Sequence, residues 1–445
     1  MEQAVFDLER PERAYLKLAL PVVLGMIVTL IYNLADTYFI ARTGNAALVA
    51  GVSLCSPVFT ALMAFGNIFG QGGSSLISRL LGGNDAQGVR RVSSFCFYAA
   101  IGTGVVLAAP LLLLRRPMLA LIGADETTLT YASAYFSVLA AGAPVVILSF
   151  IHSNLLRCEG LATASMLGTS AGALLNIVLD PILISGLGWG ARGAAIATVL
   201  GYAFSDAFFL AVLKRRSRFL SVDPRGMRVS GAEVRQILGV GGTAAITNLA
   251  QSLSLVVVNQ FLLPYGSDKI AAMGIVLKIN MIAQLMLVGF AFGGVPLFGF
   301  LCGAGDREKL ARLIRFCLCF LCGLALALSG LLFALAPRMM RAFIDVEGIV
   351  LDGALMLRWQ TAGNVFAAVV LLMTCLFQAS GRALPAFLLS ISRQGALFIG
   401  VLVAAVALFQ YQGLLCAQAL ADLLSAALAV WLYTRAFSRK NEGAL

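Results

Sequence analysis

Charge is what this sequence has least of. Only 12% of its 445 residues are Asp, Glu, Lys or Arg, and 60% are hydrophobic. A soluble globular domain carries about 25% charged residues, so that class is excluded. There is one histidine, His152, and the nine cysteines lie mostly inside apolar runs. No His–Cys–acid cluster has the spacing of a catalytic metal site. Cys319 and Cys322 form a C-x-x-C, but the surrounding Phe-Cys-Leu-Cys-Phe-Leu-Cys-Gly reads as small apolar packing. The loops hold no nucleophile–base pair and no metal motif, so neither an enzyme nor a bound cofactor is expected. The opening Met-Glu-Gln-Ala-Val-Phe-Asp lacks a basic n-region, and no cleavable signal peptide is expected. The net charge of +11 does not point to nucleic acid, because the basic residues cluster in short loops between apolar runs.

What remains is apolar sequence in stretches of roughly 20 residues or more, too continuous for the alternating strands of a barrel. The expected fold is therefore an all-α integral membrane protein. Twelve spans can be marked off, at about 16–40, 47–72, 92–114, 132–156, 164–185, 193–213, 235–262, 270–301, 313–336, 355–378, 384–408 and 413–436. Pro21, Pro57, Pro144, Pro181, Pro296 and Pro385 are expected to break or bend spans, as membrane helices tolerate. With the N-terminus inside, basic loop residues favour the cytoplasmic side by roughly three to one. Arg90, Arg91, Lys214, Arg215, Arg216 and Lys309 stand on that side, against Arg42, Arg115, Arg116 and Arg192 outside. An even number of spans returns the C-terminus to the cytoplasm.

The chain repeats itself at an offset near 221. Leu-Gly-Gly-Asn-Asp (81–85) corresponds to Cys-Gly-Ala-Gly-Asp (302–306), Gly72-Gly73 to Gly293-Gly294, and Glu-Gly-Leu-Ala (159–162) to Ser-Gly-Arg-Ala (380–383). Two six-helix lobes related by an axis along the membrane normal are expected: residues 1–213, a cytoplasmic linker at 214–234, and residues 235–445. The linker reads as a surface connection whose basic residues fix topology, with Asp223-Pro224-Arg225-Gly226 as its turn.

Two acids break the repeat. Asp36 corresponds to Val257 and Asp180 to Val401. A charge at membrane depth costs roughly 3 kcal/mol or more, so such residues usually handle protons, ions or substrates. On a helix, Tyr32 and Asn33 can share a face with Asp36, and Asn176 with Asp180. Pro181 cannot donate to the carbonyl of Ile177, which is left free. Thr198 and Asn154 offer further oxygens on spans 6 and 4. Such a set suits Na⁺ at Asp36, Asn176, Asp180 and Thr198, or equally a proton, since two close acids in low dielectric cannot both stay ionised. Asp206, Asp422 and His152 are intramembrane ionisable residues without an assigned role. In the second lobe Asn248, Gln251, Asn259, Gln260, Asn280, Gln284, Asn364, Gln378 and Gln394 are amides that either line a cavity or pin helices together. Gln251, Asn280 and Gln284, with Asn33, Met26, Met63 and Met281, are the candidates for a substrate cavity.

At these residues the chain resembles the multidrug and toxic compound extrusion family. Tyr-Asn-Leu-Ala-Asp-Thr-Tyr-Phe-Ile (32–40), Gly-Gln-Gly-Gly-Ser-Ser-Leu-Ile-Ser-Arg (70–79), Leu-Arg-Cys-Glu-Gly (156–160), Asn-Ile-Val-Leu-Asp-Pro (176–181) and Ala-Ser-Gly-Arg-Ala (379–383) carry the likeness. The resemblance implies a twelve-helix exporter of organic, often cationic and amphiphilic, compounds in a bacterial plasma membrane, driven by inward H⁺ or Na⁺. A single chain is expected to be the working unit. The likeness is to the bacterial branch with acids in helices 1 and 5. In that branch the residues matching Asp36, Asn176, Asp180 and Thr198 are associated with the cation, with those matching Tyr32 and Asn154 close by. Span 10 has no carboxylate, unlike another branch. The alternative is a lipid-linked oligosaccharide flippase of the same broad fold. A flippase calls for a basic cavity or extra spans, and here only Lys17, Lys278, Arg358 and Arg393 fall within spans.

Overall fold

The structure, a computed structural model, describes Phe6 and residues 9–437. The first half comprises α1 (Pro11–Ala41), α2 (Ala46–Leu54), α3 (Ser56–Gly82), α4 (Ala86–Leu113), α5 (Arg115–Leu121), α6 (Leu129–Ala141), α7 (Ala143–Cys158), α8 (Ala162–Asp180) and α9 (Gly190–Arg216). The second comprises α10 (Gly231–Leu262), α11 (Ser267–Gly293), α12 (Val295–Gly303), α13 (Arg307–Arg341), α14 (Glu347–Ala362), α15 (Asn364–Ala379), α16 (Ala383–Gln394) and α17 (Ala396–Phe437). Among the described residues nine stretches are long and apolar enough to cross a membrane, and two bent pairs, α6–α7 and α14–α15, raise the number to 11. The last stretch, Ala383–Phe437, turns back at Gln410, whose φ of 51° and ψ of −125° no helix contains. Gly413 then lies against the backbone of Ala405, as in a tight hairpin. That turn divides one stretch into two and yields the twelve spans expected from the sequence.

Helix ends follow the repeat. Asp85 caps α4 by accepting from Gly88 N at 2.8 Å, and Asp306 caps α13 by accepting from Lys309 N at 3.0 Å. The residues before them, Asn84 (φ 59°) and Gly305 (φ 69°), take the same left-handed conformation. The helices outrun the apolar segments because charged residues continue them into water: α9 extends through Lys214–Arg216, and α10 begins at Gly231 behind the Ser230–Glu233 capping box. The short linker between them is pinned to the first lobe. Glu159 Oε1 accepts from Phe219 N (2.6 Å) and Leu220 N (3.0 Å), and Tyr98 donates to the carbonyl of Val222 at 3.0 Å.

The proline expectations hold in part. Pro57, Pro144 and Pro296 each stand in the first turn after a break, where a missing N–H costs nothing. Pro21 lies inside an unbroken α1, and Pro385 only in the first turn of α16, so neither interrupts a span. Breaks also occur where no proline signals them, at Gly363 (40° between α14 and α15) and at Gly395. Gly363 is the repeat partner of Gly142, where α6 and α7 meet at 55°.

Glycine seams join the lobes. A Cβ on Gly72 would overlap the Ile237 carbonyl, and its repeat partner Gly293 crowds Ala19 in the same way. Gly82 meets the Phe300 carbonyl, and its partner Gly303 the Arg79 carbonyl. Gly241 meets the Ile68 carbonyl. Small residues let these backbones touch where lipid gives helices no hydrophobic reason to associate. Tyr15 to Phe290 O (3.0 Å), Ser75 to Gln378 O (2.5 Å) and Arg79 to Gln236 (3.2 Å) add hydrogen bonds. All these contacts fall in the helix halves nearest the linker. Towards the other end, Leu34 and Tyr38 of α1 and Leu253 and Val256 of α10 are exposed. Alanine at Gly72 or Gly241 should lower the thermal unfolding midpoint in detergent by a few degrees or more, since overpacking costs about 1–3 kcal/mol. Alanine at Gly323, which has open space, should not. Equal midpoints for the three variants would contradict the seam.

Candidate functional site

The acid site is built where α1, α8 and α9 meet. Tyr32, Asp36 and Ile40 recur at one-turn intervals on the inward face of α1, with Tyr32 and Ile40 buried. Asn33 falls on the exposed side, so it does not share that face. Asp180 ends α8, and Pro181–Gly186 continues it as a π-helical turn. Proline removes the donor for the preceding turn, and the wider turn that follows rejoins the ladder through Leu187 N to Ile182 O at 2.8 Å. A Cβ on Gly193 of α9 would stand 2.6 Å from the Leu183 carbonyl, so only glycine admits this turn so closely. The consequence is a fully buried Asp180 beside the half-buried Asp36.

Among the described residues no donor satisfies the buried oxygens of the pair. Asp36 Oδ1 and both oxygens of Asp180 accept from no described residue, and the buried Asn176 amide one turn before Asp180 has neither its N nor its O paired. Among the described residues no Arg or Lys forms an ion pair with either carboxyl. Thr198 donates to Ala194 O at 3.0 Å and lies near the Tyr32 and Tyr135 side chains. Tyr202 stands beside both tyrosines, packed between the rings of Phe59 (6.1 Å) and Phe150 (6.0 Å). Buried carboxyl oxygens facing one another need a positive particle or a shared proton between them. Oxygen donors on a semi-rigid helix junction suit a hard monovalent cation or a proton.

Of the residues expected here, Asp36, Asp180, Tyr32 and Thr198 converge, with Asn176 on the same turn of α8. Asn154 does not join them. Its amide donates to Phe150 O at 2.7 Å, and it lines a water-sized pocket between the lobes with Gln71, Arg157 and Gln378. Tyr135 and Tyr202 were not singled out in the sequence. Tyr202 follows Thr198 by one turn and was findable by spacing. Tyr135 reaches the site only because α6 packs on α9, which no local signal reveals.

The remaining intramembrane polar residues form separate groups. His152 Nδ1 and Asp206 Oδ1 are buried 3.4 Å apart, between the rings of Phe97 and Phe209. Asn280 and Gln284, expected at a cavity, are used in hydrogen bonds: Gln284 donates to Asn364 (2.7 Å), and Asn364 donates to Asn280 (3.1 Å). Gln251 and Met281 are exposed, and Met26 and Met63 half-buried. An open groove of about 750 Å³ runs between α6–α7 and α9, with Arg115 and Arg192 on its wall, and contains none of the expected residues.

The chain is similar to known proteins over nearly its whole length. The sequence pattern of the MatE family matches residues 21–182 and 243–409. The multidrug export protein MepA of Staphylococcus aureus is 30% identical over 414 residues, covering 93% of this chain and 91% of its own. A crystal structure of MATE in the bent conformation superposes with a TM-score of 0.92 at 26% identity, covering 100% of both chains. A MOP superfamily transporter from Pyrococcus furiosus superposes with a TM-score of 0.89 at 25% identity, covering 98% of both chains. With the motifs of both lobes matched and two six-helix lobes folded as in these transporters, the chain belongs to the MatE family, the multidrug and toxic compound extrusion transporters.

Proposed function

We infer that this protein exports small organic, often cationic and amphiphilic, compounds across the plasma membrane in exchange for inward H⁺ or Na⁺. The observation that carries this reading is the Asp36–Asp180 couple, whose three buried carboxyl oxygens have no hydrogen-bond donor among the described residues. A permanently paired acid has nothing to exchange, whereas an unpaired couple holds one small cation at a time. Thr198, Tyr32 and Tyr135 order the oxygens around it. The similarity to MepA supports multidrug export as the transport reaction.

The mechanism is alternating access of two lobes about their shared seam. With both termini and the linker on the cytoplasmic side, the closed seam faces the cytoplasm, and the separated helix halves face outward. In that state the couple takes up its cation from outside. Loading neutralises one carboxyl and changes which packing of α1 against α8 is favoured. Cargo and cation then compete for one lobe arrangement, which is what exchange requires. A flippase reading weakens here, because Arg393, one of the four intramembrane bases, is paired with Asp422 at 3.0 Å and leaves little basic cavity.

Asp36→Asn and Asp180→Asn should each lower efflux of a fluorescent organic cation from cells at least 10-fold, roughly the loss of a charged partner's contact, with expression unchanged. Retained efflux in both single variants would overturn the assignment. Tyr135→Phe, which removes one hydroxyl from the Thr198 cluster, should weaken apparent cation affinity about 5-fold without abolishing transport, as for one lost hydrogen bond. A titration of efflux against the driving ion reads this, and an unchanged midpoint would place Tyr135 outside the site.

A further inference from the structure

The repeat allows the two lobes to be compared position by position. In the first lobe Gly172 of α8 and Gly201 of α9 cross one turn from Asn176. A Cβ on Gly201 would stand 2.8 Å from the Gly172 carbonyl. The residues at the same repeat positions in the second lobe are Arg393 and Asp422. There the two positions hold an ion pair, Arg393 Nε to Asp422 Oδ1 at 3.0 Å, with side chains 13% and 3% exposed. Gln418 also donates to Asp422 Oδ1 at 3.1 Å, and the other guanidinium arm donates to Gln284 at 3.2 Å. Gln284, Asn364, Asn280 and Ser329 complete a network across α11, α13, α15, α16 and α17. None of its buried side-chain atoms is left unpaired, and Arg393 and Asp422 are its only ionisable members.

The lobes thus solve one electrostatic problem differently. The first holds Asp36 and Asp180 with no cation attached to the chain, and the second buries Asp422 with its cation built in. We propose that Arg393 is a tethered cation. Its guanidinium occupies at Asp422 the place an exchangeable ion would take, so the second lobe is a permanently loaded, non-exchanging counterpart of the first. Ion exchange is then confined to Asp36 and Asp180. The proposal rests on the reading of that couple as the exchange site, and it makes Asp422 a latent site for a monovalent cation. Arginine suits the task because it does not lose its proton in proteins and its planar fork can bond Asp422 and Gln284 at once.

The test is a count of cations bound by the purified full-length chain, using radioactive Na⁺ and, separately, proton uptake at fixed pH. Arg393→Ala and Arg393→Gln should each bind about one cation per chain more than the unsubstituted protein, since an unpaired buried carboxyl recruits one. Added guanidinium ion should displace that extra cation. Arg393→Lys, which keeps a tether, should show no gain, and Asp422→Asn in the Arg393→Ala background should erase the gain. A folded Arg393→Ala or Arg393→Gln with an unchanged count would overturn the proposal, as would a gain that survives Asp422→Asn. If neither single variant folds, the neutral pair Arg393→Met/Asp422→Asn decides. Efflux at the unsubstituted level is expected, and loss of efflux in a folded protein would overturn the proposal. Asp36→Asn separates the two readings: an unchanged count in that variant beside a gain in Arg393→Ala would reject the exchange site and leave the tethered cation standing.

Discussion

Two neighbouring carboxyls with no fixed cation among the described residues are the constraint on which the rest of this molecule depends. In a low dielectric such a couple is stable only when a proton or small cation joins it. The fold brings it about with ordinary means. Pro181 forces a π turn that ends α8 at Asp180, Gly193 lets that turn press against α9, and one-turn spacing puts Tyr32 and Asp36 on the same face of α1.

The second lobe shows that the constraint is local rather than a property of the fold. It shares the helix order, the Asp306 cap and the bend at Gly363, yet its acid carries a built-in partner. The repeat supplies symmetry of scaffold, while a few equivalent positions differ in which ionisable residues they carry. The glycine seam lets such unlike halves act as one transporter. Backbone-to-backbone contacts confined to the linker end leave the far halves of α1 and α10 free to separate.

Much of this was legible in the sequence. Twelve apolar runs and a repeat near 221 fixed the architecture, because lipid leaves a spanning backbone few choices. Asp36 and Asp180 stood out because a charge in an apolar run is costly. The failures have a common cause: a spacing rule reports which residues share a helix face, not what that face meets. Asn154 has the right chemistry, but α7 turns it to the space between the lobes. Asn280 and Gln284 look like cavity amides, but Asn364 and Arg393 consume their hydrogen-bonding capacity. Tyr135 joins the site only through the packing of α6 on α9. The breaks at Gly363 and Gly395 carry no proline and are set by tertiary contact.

The central claim is that the acid couple trades a small cation for organic cargo, and gradient-driven transport by the purified protein tests it most directly. Reconstituted in proteoliposomes with a fluorescent organic cation, the protein should move that cation against its gradient when an opposing H⁺ or Na⁺ gradient is imposed separately. One of the two should drive it and its collapse should stop it. Transport indifferent to both gradients would contradict the account.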